Sequence, residues 1–165
     1  MLLCNSSTRG DPSMEPILPE ELKEDGRIDY TEHDPALQHL ITEARMWAEE
    51  NELHRCLISQ TVTELFDWFP ADGLQLRWNP VQSITSVAYL DAIDGTSQTL
   101  STDYYELGNA LGRGIVRLKY GQSWPTARTH ADSVTVVYVA GDGDDRHDVP
   151  LPIRQAIKAY AVYRY

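Results

Sequence analysis

The densest group of residues that could do chemistry is Asp142-Gly143-Asp144-Asp145-Arg146-His147-Asp148, where carboxylates two residues apart can share a hard cation. An EF-hand loop needs further acids and a bidentate Glu at its end. Here Arg146 and His147 take the middle of the run, so a solvated turn is the simpler reading. Gly108-Asn109-Ala110-Leu111-Gly112-Arg113-Gly114 is glycine-rich but lacks the GxGxxG order and the GK[ST] ending of phosphate loops, and reads as a wide hairpin turn. His33, His39, His54, His130 and His147 are scattered, with no HExxH spacing and no GxSxG elbow beside them. Catalysis has no evident carriers, and no metal or cofactor is expected.

Trp68, Trp78, Tyr89 and Trp124 could form a stacking platform for sugars or bases, but aromatic residues in strands more often supply core area. The C-terminal Tyr160, Tyr163, Arg164 and Tyr165 are of the types enriched at interface hot spots, and an interface and a core reading both stand for them.

The elements that must position these residues follow from periodicity. Residues 1–16 are polar and aperiodic and read as an arm. Pro19-Glu20-Glu21-Leu22-Lys23 opens a short helix that Gly26 ends. Asp34-Pro35 starts a second, with Leu37, Leu40, Ile41, Ala44, Trp47 and Ala48 at helical spacing to about Asn51. From Thr61 the texture becomes β-branched and aromatic. Strands are predicted over 61–69, through Leu74, Leu76 and Trp78, over 83–91 and 97–100, through Val116, Leu118 and Tyr120, and through Val134, Val136 and Tyr138. From Pro150 the spacing turns helical again through Ile153, Ala156, Ile157, Tyr160 and Ala161.

The predicted fold class is therefore α+β: N-terminal helices and a C-terminal helix flank an inserted antiparallel β block of about six or seven strands. The expected organisation is an arm over 1–16 and a single domain over 17–165, helical at 17–56 and 150–165 with the β block at 60–141. At 165 residues one domain is the prior.

Charge is uneven. The net charge is −11, and residues 11–52, with 13 acids and 3 bases, hold −10 of it. An acidic chain of this kind opposes phosphate binding and disfavours a DNA-binding reading. Residues 110–131 reverse the sign, with Arg113, Arg117, Lys119 and Arg128 and no acid. This polarity could set a basic face of one copy against an acidic face of the next, or leave two solvated faces. No run approaches the length of a membrane span, and Met1-Leu2-Leu3-Cys4 is too short for a secretory h-region, so no membrane partner is expected. Cys4 and Cys56 lack CxxC partnering and imply neither a disulfide framework nor a zinc site.

Five stretches, in order, carry a resemblance: Asp34-Pro35-Ala36-Leu37 with Ala44-Arg45-Met46-Trp47, Cys56-Leu57-Ile58-Ser59-Gln60-Thr61, Pro80 to Asp91, Val134 to Gly141, and Val149 to Ile157. Together they resemble the head-to-tail connector (adaptor, or head-completion) proteins of tailed bacteriophages, over roughly residues 18–165. The resemblance implies a non-enzymatic virion neck protein, assembled in the host cytoplasm into a homo-oligomeric, dodecameric ring. The ring would join the portal of the DNA-filled head to a stopper or tail-completion protein, enclosing the DNA channel without reading its sequence. The portal and subunit contacts would fall on Ile157, Tyr160, Tyr163, Arg164 and Tyr165 and on Arg113, Arg117 and Lys119. The alternatives are a stopper or tail terminator, or a small carbohydrate-binding or hydrolytic β domain.

Overall fold

A computed structural model describes residues 4–26 and 34–165; His33 lies outside them. The chain divides into two compact units: Pro12–Ser59 with Asp142–Tyr165, and Gln60–Gly141 with residues 4–11. The single domain expected from the sequence is thus drawn by its contacts as a helical unit and a β unit.

The helical unit contains α1 (Pro19–Gly26), α2 (Asp34–Trp47) and α3 (Leu151–Arg164), with α2 running on into a π-helical turn at Ala48–Leu53. The apolar stripe of α2 faces inward: Leu37, Ile41, Ala44 and Ala48 pack with Ile17, Leu22, Leu57, Ile58, Val149, Ile157 and Ala161 in one buried cluster. Helices this short gain most of their stability from such a face. Arg45 and Glu49 share that face and are buried as an ion pair: Arg45 Nη1 donates to Glu49 Oε2 at 2.9 Å, and its Nε to Glu15 Oε2 at 2.8 Å. Glu49 Oε1 also accepts the Leu57 N–H at 2.9 Å, tying the chain after the π turn back onto the helix.

Among the described residues the β unit holds eight strands: β1 (Cys4–Arg9), β2 (Gln60–Phe66), β3 (Leu74–Gln75), β4 (Val81–Leu90), β5 (Ser97–Thr99), β6 (Tyr105–Ala110), β7 (Arg113–Leu118) and β8 (Val134–Ala140). They form a five-stranded sheet in the order β1-β2-β8-β4-β5 and a three-stranded sheet in the order β3-β7-β6. Every strand pairing is antiparallel. Strict alternation drives β2 and β8, where Val62 and Phe66 face the same interior as Val134, Val136 and Tyr138, all buried.

Two expectations change here. The polar stretch at the start is not a loose arm: residues 4–9 form the edge strand β1, in register from Arg9↔Val62 to Cys4↔Phe66 with a bulge between Cys4 and Ser6. Its backbone ladder is supplemented by Trp78, whose Nε1 donates to Ser7 Oγ at 2.6 Å and whose ring lies 4.0 Å beneath the Arg9 guanidinium. The strand through Leu74, Leu76 and Trp78 is correct in phase, since all three are buried, but its pairing stops at Gln75. Leu76 N–H still reaches Gly114 O of the neighbouring strand at 2.9 Å, but the N–H groups after it leave the ladder: Arg77 donates to Glu64 at 3.0 Å and Trp78 to the Tyr138 hydroxyl at 3.1 Å.

Candidate functional site

Among the described residues no three His, Cys, Asp or Glu side chains are grouped to hold a metal ion. Three carboxylates of the 142–148 run have partners within the chain. Asp142 pairs with Arg55. Asp145 Oδ1 accepts the His147 N–H at 2.8 Å, and Asp148 Oδ2 accepts the Asp145 N–H at 3.0 Å, a reciprocal cap on a single 3-10 turn, Arg146–Asp148.

Glu64 is the most unusual ionisable group, buried between Val62 and Phe66 on the inward face of β2. It accepts the Tyr138 hydroxyl at 2.5 Å as well as the Arg77 N–H. Burial raises its pKa above the ordinary 4.5, against the lowering effect of these hydrogen bonds. With no exposed surface it cannot reach a substrate, so its chemistry is structural: it gathers β2, β8 and the bend at Arg77-Trp78 around one carboxylate. Cys4 lies close enough to Glu64 to feel its charge; burial first, and that charge second, push its thiol up to about 11, which keeps it protonated and unreactive.

The aromatic residues divide. Trp78 belongs to the core, whereas Trp68 is 52% exposed. Trp124 stacks on Phe69 with ring centroids 4.7 Å apart and gives its Nε1–H to Pro70 O at 3.1 Å; Tyr89 meets Phe69 edge-on at 5.8 Å.

The surfaces that stand out are two, one in each unit. In the helical unit, α2 and α3 leave between them a groove of about 440 Å³ lined by Trp47, Leu53, Ile153, Ala156, Ile157 and Tyr160, with Glu52 as its one acid. Trp47 and Tyr160 stack at its edge, and beyond them His39, Glu43 and Glu50 line a second, acidic depression. Of the residues expected to make contacts, Ile157 is 1% exposed and joins the core while flooring this groove. Tyr160 is half-buried, and Arg164 pairs with Glu43 at 2.8 Å. Tyr163 and Tyr165 are exposed, at 85% and 53%.

In the β unit, Arg113, Arg117 and Lys119 are exposed along β7 and just after it. Arg117 Nη2 donates to Asn109 O at 3.4 Å and Lys119 Nζ to Thr102 O at 2.9 Å, so both lie along the β6–β7 hairpin. That hairpin is tighter than the wide turn expected: Ala110 faces Arg113 across two residues, Leu111 and Gly112, both left-handed at φ 54° and 81°. Two positive φ values match the twist of the flanking strands, and Asn109 Oδ1 caps the turn by accepting the Gly112 N–H at 2.9 Å. Gly114 is needed at the base, since a Cβ there would lie 2.3 Å from Val81.

The sequence reading missed Arg45 and Glu64, and it sets Glu49 on the solvated or partner-facing side of its helix, whereas the structure buries Glu49 completely. The signal was present in each case as a charge in phase with an apolar stripe, Arg45 four residues after Ile41 and Glu64 alternating with Val62 and Phe66.

The class defined by this architecture is an α+β fold made of a helical unit and an antiparallel β unit. No protein-family model matches the chain, and no curated protein matches it. Among solved structures, it is similar to a chain from the neck of an empty GTA particle computed with C6 symmetry, with a TM-score of 0.78 and 22% identity over 96% of this chain and 83% of that one. A chain from the virion of a native gene transfer agent (GTA) particle gives a TM-score of 0.78, also at 22% identity, over 96% of this chain and 84% of that one. A chain from the neck of a native GTA particle computed with C12 symmetry gives 0.71 at 22% identity, over 96% and 82%. The fold is shared along almost the whole length.

Proposed function

We propose that this chain is a structural, non-enzymatic neck protein of a phage-like virion, working in many copies as a ring that joins the portal of the head to a stopper or tail-completion protein. The observation that carries this reading is the shared fold over 96% of the chain with neck chains of gene transfer agent particles, two of them from necks computed with C6 and C12 symmetry. A twelve-copy ring is the form we favour. Three carboxylates of the best cation candidate are engaged, Asp142 by Arg55 and Asp145 and Asp148 within their own turn, and Glu64 is sealed from solvent, which supports a role made of surfaces and not of turnover. The basic hairpin and the acidic helical stretch supply opposite charges for repeated contacts between copies. The end of α3, with Tyr163, Arg164 and Tyr165, is the surface we assign to the portal. No described helix is long and apolar enough to cross a membrane.

The test is cryo-EM of the protein mixed with its cognate portal protein. The expected result is a ring of this chain docked coaxially on the portal. A chain that stays monomeric and unbound at saturating portal would overturn the reading.

A further inference from the structure

Leu111 combines two unfavourable features: it is 105% exposed, and it holds a left-handed backbone at φ 54° where a glycine or asparagine would sit without strain. A strained, fully exposed apolar residue at a hairpin tip has no explanation within the isolated chain. The strand that follows it is basic, with Arg113, Arg117 and Lys119 and no acid through residue 131, while Glu106 faces Arg117 across the hairpin. The helical unit offers the complement. Its α2–α3 groove is open and apolar, floored by Ile153, Ala156 and Ile157, with Glu52 at its wall and Glu43 and Glu50 just beyond the Trp47–Tyr160 stack. At about 440 Å³ the groove has room for a leucine side chain and the turn that bears it.

We propose that the β6–β7 hairpin of one copy inserts Leu111 into the α2–α3 groove of a second copy, with Arg113 directed at the acids around it. The occupant is a second copy because apolar tip and apolar groove, basic flank and acidic flank are complementary and lie on the same chain. A tip on one surface and a groove on another make a head-to-tail contact, which repeats into a ring when the rotation closes. The contact rests on the many-copy reading proposed above and assigns its subunit interface. It also gives α3 two duties: its groove side receives the next copy, and its end is left for another partner.

Cross-linking tests it. Two full-length chains are made in a Cys4→Ser background, one carrying Leu111→Cys and the other Ala156→Cys, each checked for fold by circular dichroism; Cys56 is buried and stays. Mixed one to one at high concentration and mildly oxidised, they should give disulfide-linked heterodimers well above the dimers that either forms alone. Yields no higher than those controls overturn the contact and return the groove to an unlike partner. In a second arm, Leu111→Asn relieves the strain, so the monomer should be no less stable while self-association falls at least tenfold. Arg113→Glu should weaken association, and Glu52→Arg should restore it in the double variant. Association unchanged by Leu111→Asn overturns the proposal. Rings that still form on the portal in that variant would leave the neck reading standing, whereas the absence of rings from the wild type would sink that reading with the 111–156 cross-link judged separately.

Discussion

Trp47 of α2 and Tyr160 of α3 stack face to face, with ring centroids 4.7 Å apart and planes 9° from parallel. The pair clamps the two helices together and forms the ridge between the apolar groove and the acidic depression. Tyr160→Ala should lower stability by about 1–3 kcal/mol, combining lost area with the aromatic pair, and Tyr160→Phe by less than about 0.5 kcal/mol. Urea denaturation of the two variants checks this. Equal losses in both would show that the hydroxyl, and not the stack, matters.

Arg45 is 5% exposed and holds Glu49 and Glu15 at 2.9 Å and 2.8 Å. Arg45→Ala leaves two carboxylates without their cation in a low-dielectric setting, and such a loss costs about 3–5 kcal/mol. Arg45→Lys should lose less, because it keeps the charge but not the planar fork. Thermal and urea unfolding give the comparison, and a loss below about 1 kcal/mol for Arg45→Ala would refute the assignment.

The raised pKa of Glu64 makes stability depend on pH. Below the ordinary value of 4.5 the group is protonated in both states and adds no difference. As pH rises above it, the unfolded chain releases the proton first, so the folded state loses ground until Glu64 itself ionises. The wild type should therefore lose stability relative to Glu64→Gln as pH rises from 4.5 toward neutrality. Denaturation curves of both proteins across that range test it; a difference that is flat or grows the other way would contradict the burial argument.

Deleting residues 159–165 would remove Tyr160 and the fully buried Ala161, and so breach the core. Deleting only residues 163–165 loses the exposed Arg164–Glu43 pair, worth about 0–1 kcal/mol. That shorter chain should remain folded by circular dichroism yet fail to co-sediment with the portal. Portal binding at wild-type strength would place the contact elsewhere.

Arg113→Glu combined with Arg117→Glu should weaken assembly, most at low salt, where exposed charges reach furthest. Assembly measured across a salt series decides the matter, and identical curves for variant and wild type would remove charge as a cause.

Much of this architecture is written in local pattern. Pro19 and Gly26 bound α1, and Leu37, Ile41 and Ala44 mark the inward face of α2. The alternation Val134, Val136, Tyr138 defines β8, and the α+β order follows from where spacing changes from helical to alternating. These features depend on neighbours a few residues apart, so one chain read in order suffices for them. The five resembling stretches likewise pointed to the fold that the neck structures share.

Tertiary structure alone decided the rest, because it depends on partners far apart in the chain. Cys4–Arg9 has no apolar period, and only the open edge of β2 and the Trp78 ring make it a strand. Glu64 and Tyr138 are 74 residues apart, and their meeting is what pulls Arg77 and Trp78 out of the β ladder. Leu111 in sequence is an unremarkable apolar residue between Ala110 and Gly112. A two-residue turn with both φ values positive is what lifts it to the tip, strains it and leaves it bare, since the register of β6 against β7 allows no longer loop.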